Sequence, residues 1–425
     1  MARVLTTKDG YALMNALVRQ ATGQDSMAAI DASTFVSAGE TVLATGIENT
    51  LNSLSLVIGR TFAAVRPYQA KLRIINAINT GVYSHRLRKI SYYAQDAQPS
   101  GYFNTDIFTN FDQGYTAGEN ESGTPPTPNS TKSQWEMTLP RVLEVNFGGS
   151  TTWQFSITYL LDKLEQAFNG VESFNEFVQG ILVERGNDVE SQKEAWNRMI
   201  LVAAMASRYY LHSNNLVPDA AINLTTAFNN ENNTSYNTAQ LQTVYYKEFF
   251  QWFTAKVKEI SDRMTERSVH FHDPMTRTEN GIDYHILRHT PYDRQRFIFF
   301  GPLFRKAEAT VFPEIFRPEY LDMDKQMEKV EYWQSNDTDA DRSKINFNSA
   351  YLDADGTQHA TGAITLDSVV GFIYDADALL SDFVLTRTLT TSVEARKGYY
   401  NSWLTFAKNA IIDQTENGVL LYMAD

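Results

Sequence analysis

The sequence predicts an α+β protein in which a long helix and a strand-rich C-terminal module frame a mixed middle segment. Two short apolar runs, VVGFIY (Val369 to Tyr374) and GVLLYM (Gly418 to Met423), have the length and composition of buried strands. A helical period extends over nearly forty residues from Ser173 to about Tyr210. Upstream, the Gly- and Pro-rich stretch FDQGYTAGENESGTPPTPNSTKSQWEM rules out a helix and reads as a long loop or hairpin.

A chain of 425 residues suggests two or three domains, and its 43% hydrophobic and 12% aromatic content is ample for packed cores. No run approaches eighteen apolar residues, and the N-terminus lacks the apolar centre of a signal peptide. A soluble product made in the cytoplasm, with no membrane partner, is therefore expected. The absence of cysteine excludes disulfides, thiolate nucleophiles and cysteine-bound metals.

The net charge of −13 is unevenly placed. Residues 49–95 hold seven basic residues, among them Arg86, Arg88 and Lys89, and no acid, which leaves 30 basic against 50 acidic residues elsewhere. A nucleic-acid reader shows a basic domain, so sequence-specific DNA recognition is not expected. The basic block reads as a surface that meets acidic surface on another copy, or as a solvated face.

Taken in order, residues 1 to about 70 show short helical patterns without a dense core, as in an arm that needs a partner surface. Residues 91–155 are extended. Ser173 and Glu176 form a capping-box pattern at the start of the long helix, and Gly180 and Gly186 are its expected bend points. The Asn-rich stretch 214–237 reads as a surface loop. After Thr238, a stripe of Leu241, Tyr245, Phe249, Trp252, Phe253, Val257, Ile260 and Met264 predicts an amphipathic helix. RQRFIFFGPLF and AEATVFPEIF read as strands. In the C-terminal module the Thr- and Tyr-rich segment between the apolar runs is extended, so the last residues are expected to complete a sheet.

Candidate chemistry is sparse. His270, His272, Asp273, His285 and His289 cluster in sequence, and His285 and His289 at i, i+4 would share a helix face. The string HILRH lacks the glutamate that serves as base in HExxH sites. Asp337, Asp339 and Asp341 open like a calcium loop, but Arg342 and Asn348 stand where its glycine and bidentate glutamate belong. Asp375 and Asp377 read as a cap on a helix over residues 376–381. No nucleophile, base and oxyanion site assemble, and no cofactor is implied. The expectation is a protein that is not an enzyme.

Three segments carry a family resemblance. QWEMTLPRVLEVNFGGSTTWQFSITYLLDKLEQAFNGVESFNEFVQGIL is similar to the extended loop running into the spine helix of tailed-phage major capsid proteins, especially those of small short-tailed phages. VVGFIYDADALL resembles their strand, acidic turn and alanine-led helix, and EARKGYYNSWLTFAKNAIIDQTENGVLLYM resembles their closing strands. The resemblance implies the Hong Kong 97-type capsid fold, with an N-terminal arm and lead-in (1–80), an extended β-hairpin loop (81–155) and a peripheral domain with the spine helix (156–213). An axial domain (214–362) and the closing strands of the peripheral domain (363–425) follow.

It also implies self-assembly into pentamers and hexamers of an icosahedral or prolate head that encloses double-stranded DNA. Implied partners are many copies of itself, a separate scaffolding protein, a portal, and decoration or head-fibre proteins. The implied location is the virion, after assembly in the host cytoplasm. Tyr115 and Trp135 in the loop and Arg86, Arg88 and Lys89 near its base are the candidate inter-subunit contacts. An encapsulin-like compartment, or a metal-dependent hydrolase using His270 and His272, are the alternatives.

Overall fold

The computed structural model describes residues 7–23, 28–45, 49–50, 53, 75–77, 87–94, 140–148, 151–160, 166–279, 282–310, 327–334, 342–353, 357–392, 394 and 396–425. Its axis is one helix, α3 (Val171–Ser213), whose 43 residues span about 65 Å at 1.5 Å each. The helix starts from an extended Gly170 with no side-chain cap. Ser173 therefore lies inside the first turn, and the expected capping box does not form its end.

A five-stranded sheet holds the order β5 (Ala221–Asn223), β15 (Gly418–Tyr422), β12 (Val369–Asp375), β8 (Gln295–Phe300) and β9 (Met327–Val330). β15 and β12 pair antiparallel, from Val369↔Tyr422 to Tyr374↔Gly418. Every residue of these two strands is buried, without alternation. The reason is that both faces of the sheet are covered. Ile200, Leu201 and Met205 of α3 pack with Phe372, Tyr374 and Leu420 on one side. On the other, Phe297, Ile373, Val419 and Leu421 meet a helical layer made of α4 (Leu224–Asn232), α5 (Thr238–Thr243), α6 (Tyr246–Met264) and α7 (Gly301–Thr310).

The predicted stripe after Thr238 is present, but a break at Val244 and Tyr245 divides it between α5 and α6. Two expectations fail in this region. The Asn-rich stretch is not all loop: Asn223 accepts from Thr225 N and Thr226 N and so caps α4, and Asn233 ends it in the left-handed conformation. Residues 301–304 and 307–310, read as strand, belong to α7.

A second sheet holds β1 (Asn76–Ala77), β13 (Leu379–Thr390), β14 (Tyr399–Ile412) and β4 (Thr151–Leu160) in that order. One of its faces carries Tyr159 and Tyr400, stacked at 4.8 Å, and is covered by α1 (Thr7–Thr22), α2 (Ala32–Ala44) and the start of α3. Leu17, Phe35 and Phe174 are fully buried there. Residues 7–23 and 28–45 thus build a core with their own chain, contrary to an arm that lacks one. The period-3.6 spacing of Leu13, Leu17, Phe35 and Val42 carries that signal, and the helices are short enough to hide it.

Asp375 also departs from expectation. No helix follows it. Residues 376–378 form a tight turn into β13, in which Asp375 Oδ1 accepts from Asp377 N at 2.9 Å.

Candidate functional site: the joint that carries the hairpin

β2 (Leu87–Tyr92) and β3 (Val142–Phe147) pair antiparallel from Leu87↔Phe147 to Tyr92↔Val142, so the chain leaves and re-enters the body through one two-stranded base. This pair lies where the sequence predicts the base of an extended hairpin, whose remainder, residues 95–139, lies outside the described residues. Its candidate contacts Tyr115 and Trp135, and Arg86 at its foot, lie outside the described residues, as do Asp337, Asp339 and Asp341.

Arg88 and Lys89 are described, and each has acidic partners in its own chain. Arg88 Nη2 is 2.6 Å from Glu144 Oε2 on the neighbouring strand, a largely exposed pair of small energetic weight. Lys89 reaches into the turn between β14 and β15. There it meets Asp413 Oδ2, Thr415 Oγ1 at 3.1 Å and Glu416 Oε1 at 2.5 Å. The acidic surface sought on an adjacent copy is, for these two residues, intramolecular.

That turn, residues 413–417, is the meeting point of the fold. Asp413, Gln414, Thr415 and Asn417 are buried. From α3, Arg208 donates to the carbonyl oxygens of Phe271 (3.3 Å), Gln414 (3.3 Å), Asp413 (3.2 Å) and Glu416 (2.6 Å). Burial brings its guanidinium down to about 10, still charged at neutral pH. Gly418 follows because a Cβ there would lie 3.1 Å from Arg208 Nε. Arg288 Nε donates to Thr415 O at 3.1 Å, and its Nη2 donates to Ser91 Oγ of β2 at 2.6 Å. Burial raises the Glu416 carboxyl above its ordinary value, against the pull of Lys89 and Arg288. Cations from three segments therefore tie the hairpin base, the long helix and the last strand to one turn.

The histidines do not converge. His272 is fully buried, with Nε2 2.7 Å from Ile286 O and Nδ1 3.0 Å from the Asn417 side-chain amide, so neither nitrogen faces an open site. His285 Nδ1 is 2.9 Å from Thr276 Oγ1, while His270 and His289 are exposed. Residues 285–290 form no helix, and Arg288 is bridged to Ser268, so His285 and His289 do not share a helix face. No cluster of three metal-ligating side chains occurs among the described residues. No described helix is long and apolar enough to cross a membrane.

His272 gives a signed pH dependence. Burial, together with Arg208 and Arg288, lowers it to about 4, below the ordinary 6.5. Between those values the unfolded chain binds a proton that the folded chain excludes, so stability falls as pH drops from 6.5 to 4. The full effect is about 3 kcal/mol. The raised pKa values of Asp273 and Glu416 act in the opposite direction. The test is therefore a difference: wild type minus His272→Gln, by urea melts at pH 7 and pH 4.5. The difference is expected to shift against wild type at the lower pH, and a constant difference would refute it.

Sequence reasoning missed Arg208, Glu416 and Asp413. Arg208 had a signal: it is the lone charge in ILVAAMASRYYL, an otherwise uncharged helical run. The turn DQTEN gave none, because a buried polar turn and a solvated one have the same composition.

No family model matches the chain, and no curated relative matches it. Solved structures do. A chain of the capsid structure of Staphylococcus phage Andhra is similar with a TM-score of 0.52 at 10% identity, covering 84% of this chain and 85% of that one. A chain from the structure of the head fiber and inner core protein gp22 of native bacteriophage P68 aligns at TM-score 0.49 and 11% identity, covering 82% and 83%. At such identities the likeness speaks for the fold, and the α+β chain described here has the fold found in that phage capsid structure.

Proposed function

We propose that this chain is the major capsid protein of a tailed phage, a shell subunit that assembles with many copies of itself into pentamers and hexamers around double-stranded DNA. The observation that carries the reading is the fold similarity to the Andhra capsid chain over 84% of the sequence. The paired hairpin base, braced on the long helix through Lys89, Arg208 and Arg288, suits a hairpin that must reach a neighbour from a rigid origin.

Of the scheme of arm, loop, peripheral and axial parts, the divisions near residues 80, 155 and 213 are kept in this proposal, whereas the one near 362 is not, because β12 and β15 share a sheet with β5, β8 and β9. The arm is amended: α1 and α2 belong with the body. A separate scaffolding protein, a portal, and decoration or head-fibre proteins are the partners. The protein acts in the virion after assembly in the host cytoplasm. The acidic balance suits a container that must release its DNA, and no catalytic role is assigned.

Assembly is the test. Purified protein with a scaffolding partner should sediment as large particles and show closed shells or ring-shaped capsomers by negative stain. A sample that stays monomeric across salt and pH conditions would exclude the reading.

A further inference from the structure

Lys408 of β14 is the one buried lysine among the described residues, with 3% of its surface exposed. Its ammonium is surrounded by aromatic rings from three elements. Nζ lies 4.0 Å from the ring centre of Trp153 on β4, and 5.5 Å from those of Trp196 on α3 and Phe383 on β13. Among the described residues no carboxylate or carbonyl accepts from it. The nearby acid Asp382 does not serve, because it pairs across to Asn409 and successive strand residues face opposite sides. Lys193, whose ammonium lies 5.5 Å from the centre of the same Phe383 ring, already has Glu190 at 3.1 Å.

This arrangement is unbalanced. A cation over an aromatic face gains about 0.5–2 kcal/mol. Stripping an ammonium of water costs several kcal/mol, and proteins offset that cost with a counter-charge. Arg208, equally buried, makes four hydrogen bonds, whereas Lys408 makes none. Burial alone accounts for the lowered pKa of Lys408, with no anion opposing it.

The outer wall of the cage is exposed. Trp153 is 51% exposed and sits near the start of β4, the outer strand of its sheet among the described residues. A chain with 50 acidic against 37 basic residues supplies carboxylates wherever copies meet.

We propose that Lys408 is a socket for a carboxylate of a second copy: an Asp or Glu side chain from a neighbouring subunit displaces Trp153 and pairs with the buried ammonium. The inference rests on the shell reading.

The direct test is zero-length carbodiimide coupling of particles assembled from a mixture of ¹⁴N- and ¹⁵N-labelled copies. Carbodiimide activates a carboxylate, the Lys408 amine displaces the activated group, and the reagent leaves as the urea. Mass spectrometry should find Lys408 joined to an Asp or Glu in mixed-isotope peptide pairs. Particles in which Lys408 stays uncoupled, or couples only within one chain, overturn the socket while leaving the shell reading intact. Wild-type protein that forms no particles overturns both. Lys408→Met adds a second reading. Its monomer should melt at or above wild type, because an unpaired charge is removed, and its particle yield should fall about tenfold. A lower monomer melting temperature, or an unchanged yield, overturns the socket.

Discussion

Deleting Gly418–Asp425 is expected to leave the chain unfolded rather than shortened. β15 is an interior strand, bonded to β12 on one side and β5 on the other. Val419, Leu420 and Leu421 are fully buried, and Tyr422 and Met423 nearly so. At about 1.5–3 kcal/mol for each buried side chain, their loss removes on the order of 10 kcal/mol. That is comparable to the whole stability of a domain, about 5–15 kcal/mol. The deletion also exposes two bare strand edges, which invites aggregation. Far-UV circular dichroism and limited proteolysis of the truncated chain read the outcome. A soluble product with a cooperative melt would show that the last strand is dispensable.

The second large effect is expected at Arg208. Arg208→Met keeps the bulk of the side chain and removes all its donors, stranding the carbonyls of Phe271, Asp413, Gln414 and Glu416. An unsatisfied buried carbonyl costs about 1–3 kcal/mol, so a loss of at least about 3 kcal/mol is expected even after partial relaxation. Arg208→Lys should not restore it. Lysine offers three donors from a single point, where the guanidinium spreads five across a plane. Because Lys89 and Arg288 hold the hairpin base to the same turn, proteases should also cut sooner within residues 413–417. Urea melts measure the first effect and cleavage mapping the second. A variant within 1 kcal/mol of wild type would mean that other donors reach those carbonyls.

The parts of the fold that were legible in the sequence are those whose signal is local. The 3.6-residue period of α3 and the uninterrupted apolar runs of β12 and β15 each occupy one contiguous stretch, and helix and strand geometry follows from such patterns. Of the hairpin expected over residues 81–155, the paired base, β2 with β3, falls within the described residues. Failures arose where one local pattern serves two structures. Asp375-Ala-Asp377 is equally good as a helix cap or as the turn into β13, and the pairing of Leu379 with Ile412 decides for the turn. AEAT at residues 307–310 is short and apolar enough for a strand, yet it continues α7 because Phe304 of that helix packs on Phe299 at 4.7 Å.

The candidate site was less legible for a physical reason. Opposite charges act through space, and the chain order does not record which of them will meet. Lys89 and Glu416 are separated by 327 positions, and a count of charge along the chain showed only that residues 49–95 are basic. Composition by itself determined that there are no disulfides, that the cores are ample, and that the protein is acidic with a basic block. Its patterning determined a long helix and a final strand buried in a sheet. Only the tertiary structure decided that Lys89 pairs within the chain, that Arg208 is a buried clamp and that Lys408 sits in an aromatic cage. Burial and pairing are properties of the assembled fold, where removal from water sets the energy of every charge.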